Sequence, residues 1–108
     1  MIDHSEDPDT LFDLGRVWKA QGEHSNAVKI FSEVVRLKPG WDEAYVSRAN
    51  CYRWLQEWQL AAEDFVEAIR LGYREGRIFE SAGYCYQRLA EYQKAIDYYT
   101  TEINEGPP

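Results

Sequence analysis

The sequence predicts an all-α array of three tandem helix–turn–helix units, a solenoid of six antiparallel helices. Three observations predict it. The chain aligns with itself, without a gap, at a shift of 34 residues. Each copy carries two apolar stripes at helical spacing. Gly22, Pro39, Gly40 and Gly72 fall between those stripes and break the pattern.

The self-alignment sets Gly15 over Ala49 and Gly83, and Trp18 over Tyr52 and Tyr86. Further columns are Leu11, Tyr45 and Phe79; Val17, Cys51 and Cys85; Ala27, Ala61 and Ala95; and Phe31, Phe65 and Tyr99. Pro39 recurs as Pro107, with Tyr73 between them. The first helix of the first copy is carried by Leu11, Leu14 and Trp18, the i, i+3, i+7 face of a helix. Asp7 before Pro8 supplies an N-cap and a first-turn proline. Gly22 ends this helix, and Ala27, Ile30, Phe31, Val34 and Val35 form the stripe of the second. Arg36 and Lys38 ahead of Pro39 and Gly40 place cations at its carbonyl end and then stop it. Asp42 and Glu43 open the second copy and Gly72 closes it. The predicted helices are 9–21, 24–37, 42–55, 58–71, 76–89 and 92–104. The repeats run 8–41, 42–75 and 76–108, behind an acidic segment 1–7. The small column at 15, 49 and 83 marks the closest approach of paired helices, with Ala27, Ala61 and Ala95 opposite. A lone pair buries too little apolar surface to stand, so the pairs are expected to stack around one continuous core.

Composition narrows the function. The chain has 108 residues, 44% apolar and 29% charged, as an ordinary globular domain does, with a high aromatic share of 15%. Its net charge of −7 argues against a general nucleic-acid binder, which needs a basic footprint to displace counterions. No apolar run approaches a membrane span, and Met1 to Thr10 lacks a signal peptide's basic start and apolar stretch. Cys51 and Cys85 show neither metal nor disulfide spacing, which suits a reducing, cytoplasmic location and a packing role for both. His4 and His24 are the two histidines, and no nucleophile–base arrangement or phosphate loop can be assembled around them. No enzyme activity, cofactor or metal is expected. His24 shares a column with Trp58 and Tyr92 and reads as packing.

The columns resemble the tetratricopeptide repeat, whose signature runs W-x₂-L-G-x₂-Y, A-x₃-F, P. The first copy supplies Leu11, Leu14, Gly15, Trp18, Ala27, Phe31 and Pro39. The second supplies Tyr45, Ala49, Tyr52, Ala61 and Phe65. The third supplies Phe79, Ala82, Gly83, Tyr86, Ala95, Tyr99 and Pro107. The resemblance covers residues 8–108. It implies a right-handed superhelix whose concave groove, lined by the first helix of each unit, binds a peptide or partner segment, as adaptors, co-chaperones and scaffolds do. One specialised groove in the family clamps the carboxylate end of heat-shock chaperones. Its positions here hold Phe12, Arg16, Ser47, Arg77 and Ser81, and only Arg77 keeps that chemistry. That clamp is not expected.

By the same resemblance the groove face carries Asp9, Phe12, Arg16 and Lys19, then Glu43, Val46, Asn50, Arg53 and Trp54, then Arg77, Glu80, Tyr84, Gln87 and Arg88. Basic residues outnumber acidic ones on it, while Glu33, Glu63, Asp64, Glu67, Asp97 and Glu102 fall on the outer face. The expected partner is therefore a protein segment rich in acidic residues. Arg16, Lys19, Arg53, Arg77 and Arg88 would meet carboxylates, Asn50 the ligand backbone, and Trp54 and Tyr84 would be apolar anchors. For each charge, the alternative is a solvated face with weak surface pairs. Trp41 and Trp58, near turns, are read as staples between units. Arg48 stands where the other copies have Leu14 and Ala82, and either snorkels or pairs with an acid of a neighbouring helix. The last helix is partly polar yet retains Ile96, Tyr99 and Ile103. That apolar end offers an alternative function: docking onto a second copy or onto another protein.

Overall fold

A computed structural model describes residues 7–106. The first six residues of the acidic segment, His4 among them, and Pro107 lie outside the described residues. Six helices follow in order: α1 Pro8–Ala20, α2 His24–Leu37, α3 Asp42–Trp54, α4 Trp58–Arg70, α5 Ile78–Arg88 and α6 Tyr92–Glu105. They pack as antiparallel pairs, α1 with α2, α3 with α4 and α5 with α6, and the pairs stack through α2 on α3 and α4 on α5. The stack is elongated, 52 × 25 × 22 Å.

The helix starts and stops have local causes. Asp7 caps α1, its carboxylate accepting the Asp9 N–H at 3.1 Å and the Thr10 hydroxyl at 2.8 Å. The turn inside each unit is the same motif three times. Gly22, Gln56 and Ala90, 34 residues apart in sequence, take positive φ of 80°, 61° and 60°. The next N–H groups, of Glu23, Glu57 and Glu91, donate back to Trp18, Tyr52 and Tyr86 at 2.9 Å. This double-bonded ending satisfies carbonyls that a helix otherwise leaves open. Gln56 and Ala90 adopt, at a cost of about 1 kcal/mol each, a conformation that Gly22 reaches without strain.

The fifth helix begins at Ile78, two residues later than the periodicity predicts. Gly76 is left-handed at φ 59°, and Arg77 lies outside the helical basin at φ −116°, ψ 58°. Arg74 braces this longer turn, donating to the carbonyls of Ile69 and Tyr73 at 2.9 and 2.8 Å.

Close approach within a unit brings in aromatic partners beside the expected alanine column. A methyl on Gly15 would sit 2.6 Å from Cε1 of Phe31, and one on Gly83 would sit 3.1 Å from Cδ1 of Tyr99. Gly15 therefore faces the Phe31 ring, and Gly83 faces both the Tyr99 ring and, at 3.4 Å, the carbonyl oxygen of Ala95 expected opposite it. The core is also not one cluster but two. Phe12, Ala27, Phe31, Val34, Ala44 and Cys51 form the first. Ala49, Ala61, Phe65, Ile78, Ala82, Cys85, Tyr86 and Ala95 are among the second. Helix α3 joins them by giving Ala44 and Cys51 to one and Ala49 to the other. Val17 does not share the burial of Cys51 and Cys85 in its column. It is exposed, because no helix among the described residues packs on that side of α1.

One charged residue leaves its expected place, and Arg48 takes the second of its two expected roles, pairing with an acid of a neighbouring helix. Asp64 is buried, not on the outer face, and Arg48 grips it with two bonds of 2.7 Å. Nη1 of Arg48 also donates to the Ser32 hydroxyl at 3.2 Å, so one guanidinium ties α2, α3 and α4 together. The rings of Tyr45 and Tyr52 flank it at 5.9 and 5.7 Å. The bond to Asp64 raises the Arg48 pKa, while burial pushes the Asp64 carboxyl up. Such a pair adds little net stability but is costly to halve. Asp64→Ala should lower the unfolding free energy by about 3–5 kcal/mol in urea titrations. Replacing both Arg48 and Asp64 with Leu should recover most of that loss. A drop below about 1 kcal/mol for Asp64→Ala would show the pair to be dispensable.

Candidate functional site

The carboxyl ends of α1, α3 and α5 and the turns that follow them form one edge of the groove. Two neighbouring cavities open there. The larger, about 670 Å³, is lined by Arg16, Lys19, Ala20, Gly22, His24, Ser47 and Trp54. The second, about 320 Å³, is lined by Arg53, Trp54, Gln56, Trp58, Tyr84 and Arg88. Trp54 is the wall they share.

Aromatic stacking sets this edge. The ring of His24, first residue of α2, lies parallel to the Trp54 indole at 5.2 Å and 8°. Trp58, first residue of α4, meets Tyr84 edge-on at 5.5 Å. Arg88 lies over the Trp58 ring at 5.2 Å, and Arg53 over Tyr84 at 5.5 Å. Cation, ring, ring and cation thus form a row from α3 to α5. Among the described residues, neither Arg53 nor Arg88 has an ion pair with a carboxylate. Their planar groups are held by rings and open to an outside acceptor.

The expected site residues divide. Arg53, Trp54, Tyr84 and Arg88 come together in the second cavity, and Arg16 and Lys19 share the first with Trp54. Arg16 has only a loose, exposed contact to Asp13 at 4.0 Å. Asn50 lies with Lys19, Glu43, Val46, Ser47, Tyr73 and Glu75 in a further cavity of about 290 Å³. Arg77 is not brought to these cavities: it sits before α5 and pairs with Glu80 at 2.9 Å. Phe12 does not face the groove. It is only 8% exposed and packs between Phe31, at 5.6 Å, and Trp41, at 4.4 Å. Gln87 accepts the Tyr99 hydroxyl bond at 2.7 Å, which leaves Tyr99 half-buried and not part of an open apolar end. Glu102, expected on the outer face, accepts the Glu80 N–H at 3.3 Å in the first turn of α5.

His24 and Trp58 were readable as an aromatic column but not as site residues. Trp58 does bridge units, and it lines a cavity as well. The groove is also not uniformly basic. Asp42, Glu43 and Glu75 cluster with Tyr73 and Arg74 around a cavity at the amino end of α3, and Glu43, Tyr73 and Glu75 also line the Asn50 cavity. The 13 residues of α3 put roughly 20 Å between this acidic edge and Arg53 and Trp54 at its carboxyl end.

A stack of antiparallel helix pairs, with cavities along the turn edge of its groove, defines a helical-repeat interaction domain. The tetratricopeptide repeat pattern matches residues 9–40 and again residues 78–108. The chain belongs to the tetratricopeptide repeat family, whose domains serve generally in protein–protein interaction. Among solved structures it is similar to MamA, with a TM-score of 0.85 and 25% identity over 92% of this chain. It spans 58% of that MamA chain. It shares its fold with the second such domain of Spaghetti (RPAP3), solved with the HSP90 peptide SRMEEVD: TM-score 0.81, 19% identity, 89% of each chain. It shares it also with YrrB, described as having an unusual peptide-binding site: TM-score 0.81, 22% identity, 93% of this chain and 53% of that one. No curated protein sequence matches significantly. No helix among the described residues is long and apolar enough to cross a membrane.

The cysteines lie behind this site, fully buried. Burial pushes the Cys85 thiol from its ordinary 9.0 up to about 11, with nearby Arg53 pulling weakly the other way, and burial raises Cys51 too. At pH 8 a thiol reagent should modify Cys85 only as fast as the domain opens, because both thiolate and access are scarce. The unfolded thiol ionises first, so the contribution of Cys85 to stability should be intact below about pH 9 and be lost as pH rises toward 11. Rapid labelling of Cys85 under native conditions would contradict this burial.

Proposed function

We propose that residues 8–108 act as one binding unit that holds an acidic segment of a partner protein along the turn edge of the groove. The observation that carries this is the pair Arg53 and Arg88. On a chain of net charge −7, two guanidiniums stand without a carboxylate partner among the described residues, each held over a ring. Side chains so held lose little freedom on binding, and an Arg can grip a carboxylate with two parallel bonds. Arg16 and Lys19 extend the cationic row, Asn50 offers an amide to the ligand backbone, and Trp54 and Tyr84 supply apolar area. Arg77, bound to Glu80, plays a secondary part. The structural neighbours solved as peptide binders support this class of ligand. The role is that of an adaptor or scaffold, with no chemistry performed on the partner.

Arg53→Glu should weaken binding of a Glu-rich fluorescent peptide about tenfold or more while leaving the helical circular dichroism unchanged. Wild-type affinity should also fall as salt rises from 50 to 300 mM. Equal affinity of wild type and variant would sink the assignment.

A second reading rests on α6, where Ile96 and Ile103 are 54% and 82% exposed. An apolar face of this kind suits assembly with a second copy or with another protein. If it drives self-association, sedimentation velocity should show a concentration-dependent species larger than a monomer, and Ile103→Asp should abolish it. A monomer at every concentration would remove the self-association form of this reading.

A further inference from the structure

We infer that the larger cavity is an anchor subsite for one bulky apolar side chain, so that the partner segment carries the pattern acidic, apolar, acidic. The inference rests on the proposed grip of Arg53 and Arg88 on carboxylates and adds to it which residue lies between the acids.

Trp54 is 73% exposed, yet it is not a loose surface side chain. One face of its indole is stacked on His24 at 5.2 Å, which fixes the ring and leaves the rest of it to solvent. A large aromatic surface fixed but uncovered is how interface anchors are presented. The floor beside it is made by Ala20 and Gly22, which offer at most a methyl, so the cavity of about 670 Å³ has room for a Phe- or Leu-sized group. His24 gives an independent sign. Its Nδ1 is buried without a hydrogen-bond partner among the described residues. An unpaired buried nitrogen calls for a reason beyond filling space, and the contact this ring makes is the parallel stack on Trp54.

The charges around the cavity set what flanks the anchor. Arg16 and Lys19 stand on one side, and Arg53 and Arg88 stand beyond Trp54 on the other. A segment with its apolar side chain against the indole would meet a cation in both directions along the edge. The contacts involve side chains in the middle of the segment, so a free terminal carboxylate is not required.

The test uses three fluorescent peptides blocked at both ends: Ser-Gly-Glu-Glu-Phe-Glu-Glu-Gly-Ser, the same peptide with Ser in place of Phe, and the Phe peptide with Gln in place of every Glu. The Phe–Glu peptide should bind wild type about tenfold more tightly than the Ser–Glu peptide. Trp54→Ala should reduce that ratio below about threefold, and His24→Ala, which frees the indole, should reduce it in the same direction. The affinity of the Ser–Glu peptide should fall by a smaller factor than that of the Phe–Glu peptide in both variants. Because Trp54 is exposed, circular dichroism should show Trp54→Ala folded as wild type. Equal affinities of the Phe–Glu and Ser–Glu peptides, or an equal loss of both in Trp54→Ala, would overturn the anchor while leaving the acidic grip standing. If neither Glu-containing peptide binds, or the Gln peptide binds as well as the Phe–Glu peptide, the acidic grip itself fails and the anchor fails with it.

Discussion

Everything in this chain depends on how closely the two helices of a unit approach. Gly15 admits the Phe31 ring and Gly83 admits the Tyr99 ring at distances that a methyl group would contest. The approach lets short helices of 11 to 14 residues bury the Phe31 ring completely and half-bury Tyr99, while in the middle unit Phe65 is buried with Ala49 in the small column. It also sets the angle at which the turns at Gly22, Gln56 and Ala90 must close, and those turns place His24 and Trp58 at the groove edge. Packing inside a unit and the presentation of a surface between units are consequences of one contact.

Stacking one unit on the next uses different physics at each joint. Between the first and second units, Arg48, held by Asp64 of its own unit, reaches across to Ser32, while Trp54 leans on His24. Between the second and third, the joint is more apolar, with Ile78 and Ala82 buried beside Phe65, and Trp58 against Tyr84. The buried ion pair contributes direction more than net free energy, since a guanidinium bound at both oxygens of one carboxylate tolerates little rotation. At both joints an aromatic or imidazole ring from the start of a second helix touches the next unit's first helix near the groove. The candidate site and the joints therefore share residues, and a ligand seated on Trp54 would bear on the joint between the first two units.

The helices were legible because a repeat of fixed length multiplies weak local signals. The three units agree on where stripes run, and each helix lies within two residues of its expected bounds. The late start of α5 escaped because it depends on Gly76 turning left-handed and on Arg74 bonding back to α4, neither of which has a period. The family resemblance set Arg53, Trp54, Tyr84 and Arg88 on one face of the first helices, and the structure brings the four to one cavity. Phe12 shares that register and is buried instead, because Trp41 folds over it from the following turn. Asp64 appeared to face outward because helical register alone cannot report that Arg48 waits across the interface. His24 and Trp58 appeared as core because an aromatic column suits packing and recognition equally well.

The sequence by itself determined the unit, its length, the number of copies and the small residues where helices meet. Each of these is a local preference or a spacing, and repetition makes such information redundant. Tertiary structure alone decided which charges are open. Arg77 lost its freedom to Glu80 and Arg48 to Asp64, while Arg53 and Arg88 rest on rings. The physical reason is that a guanidinium's state depends on which acceptor or ring lies within a few ångströms, and here those neighbours come mostly from other helices. A linear order fixes the list of candidates, but only the stacking of units chooses among them.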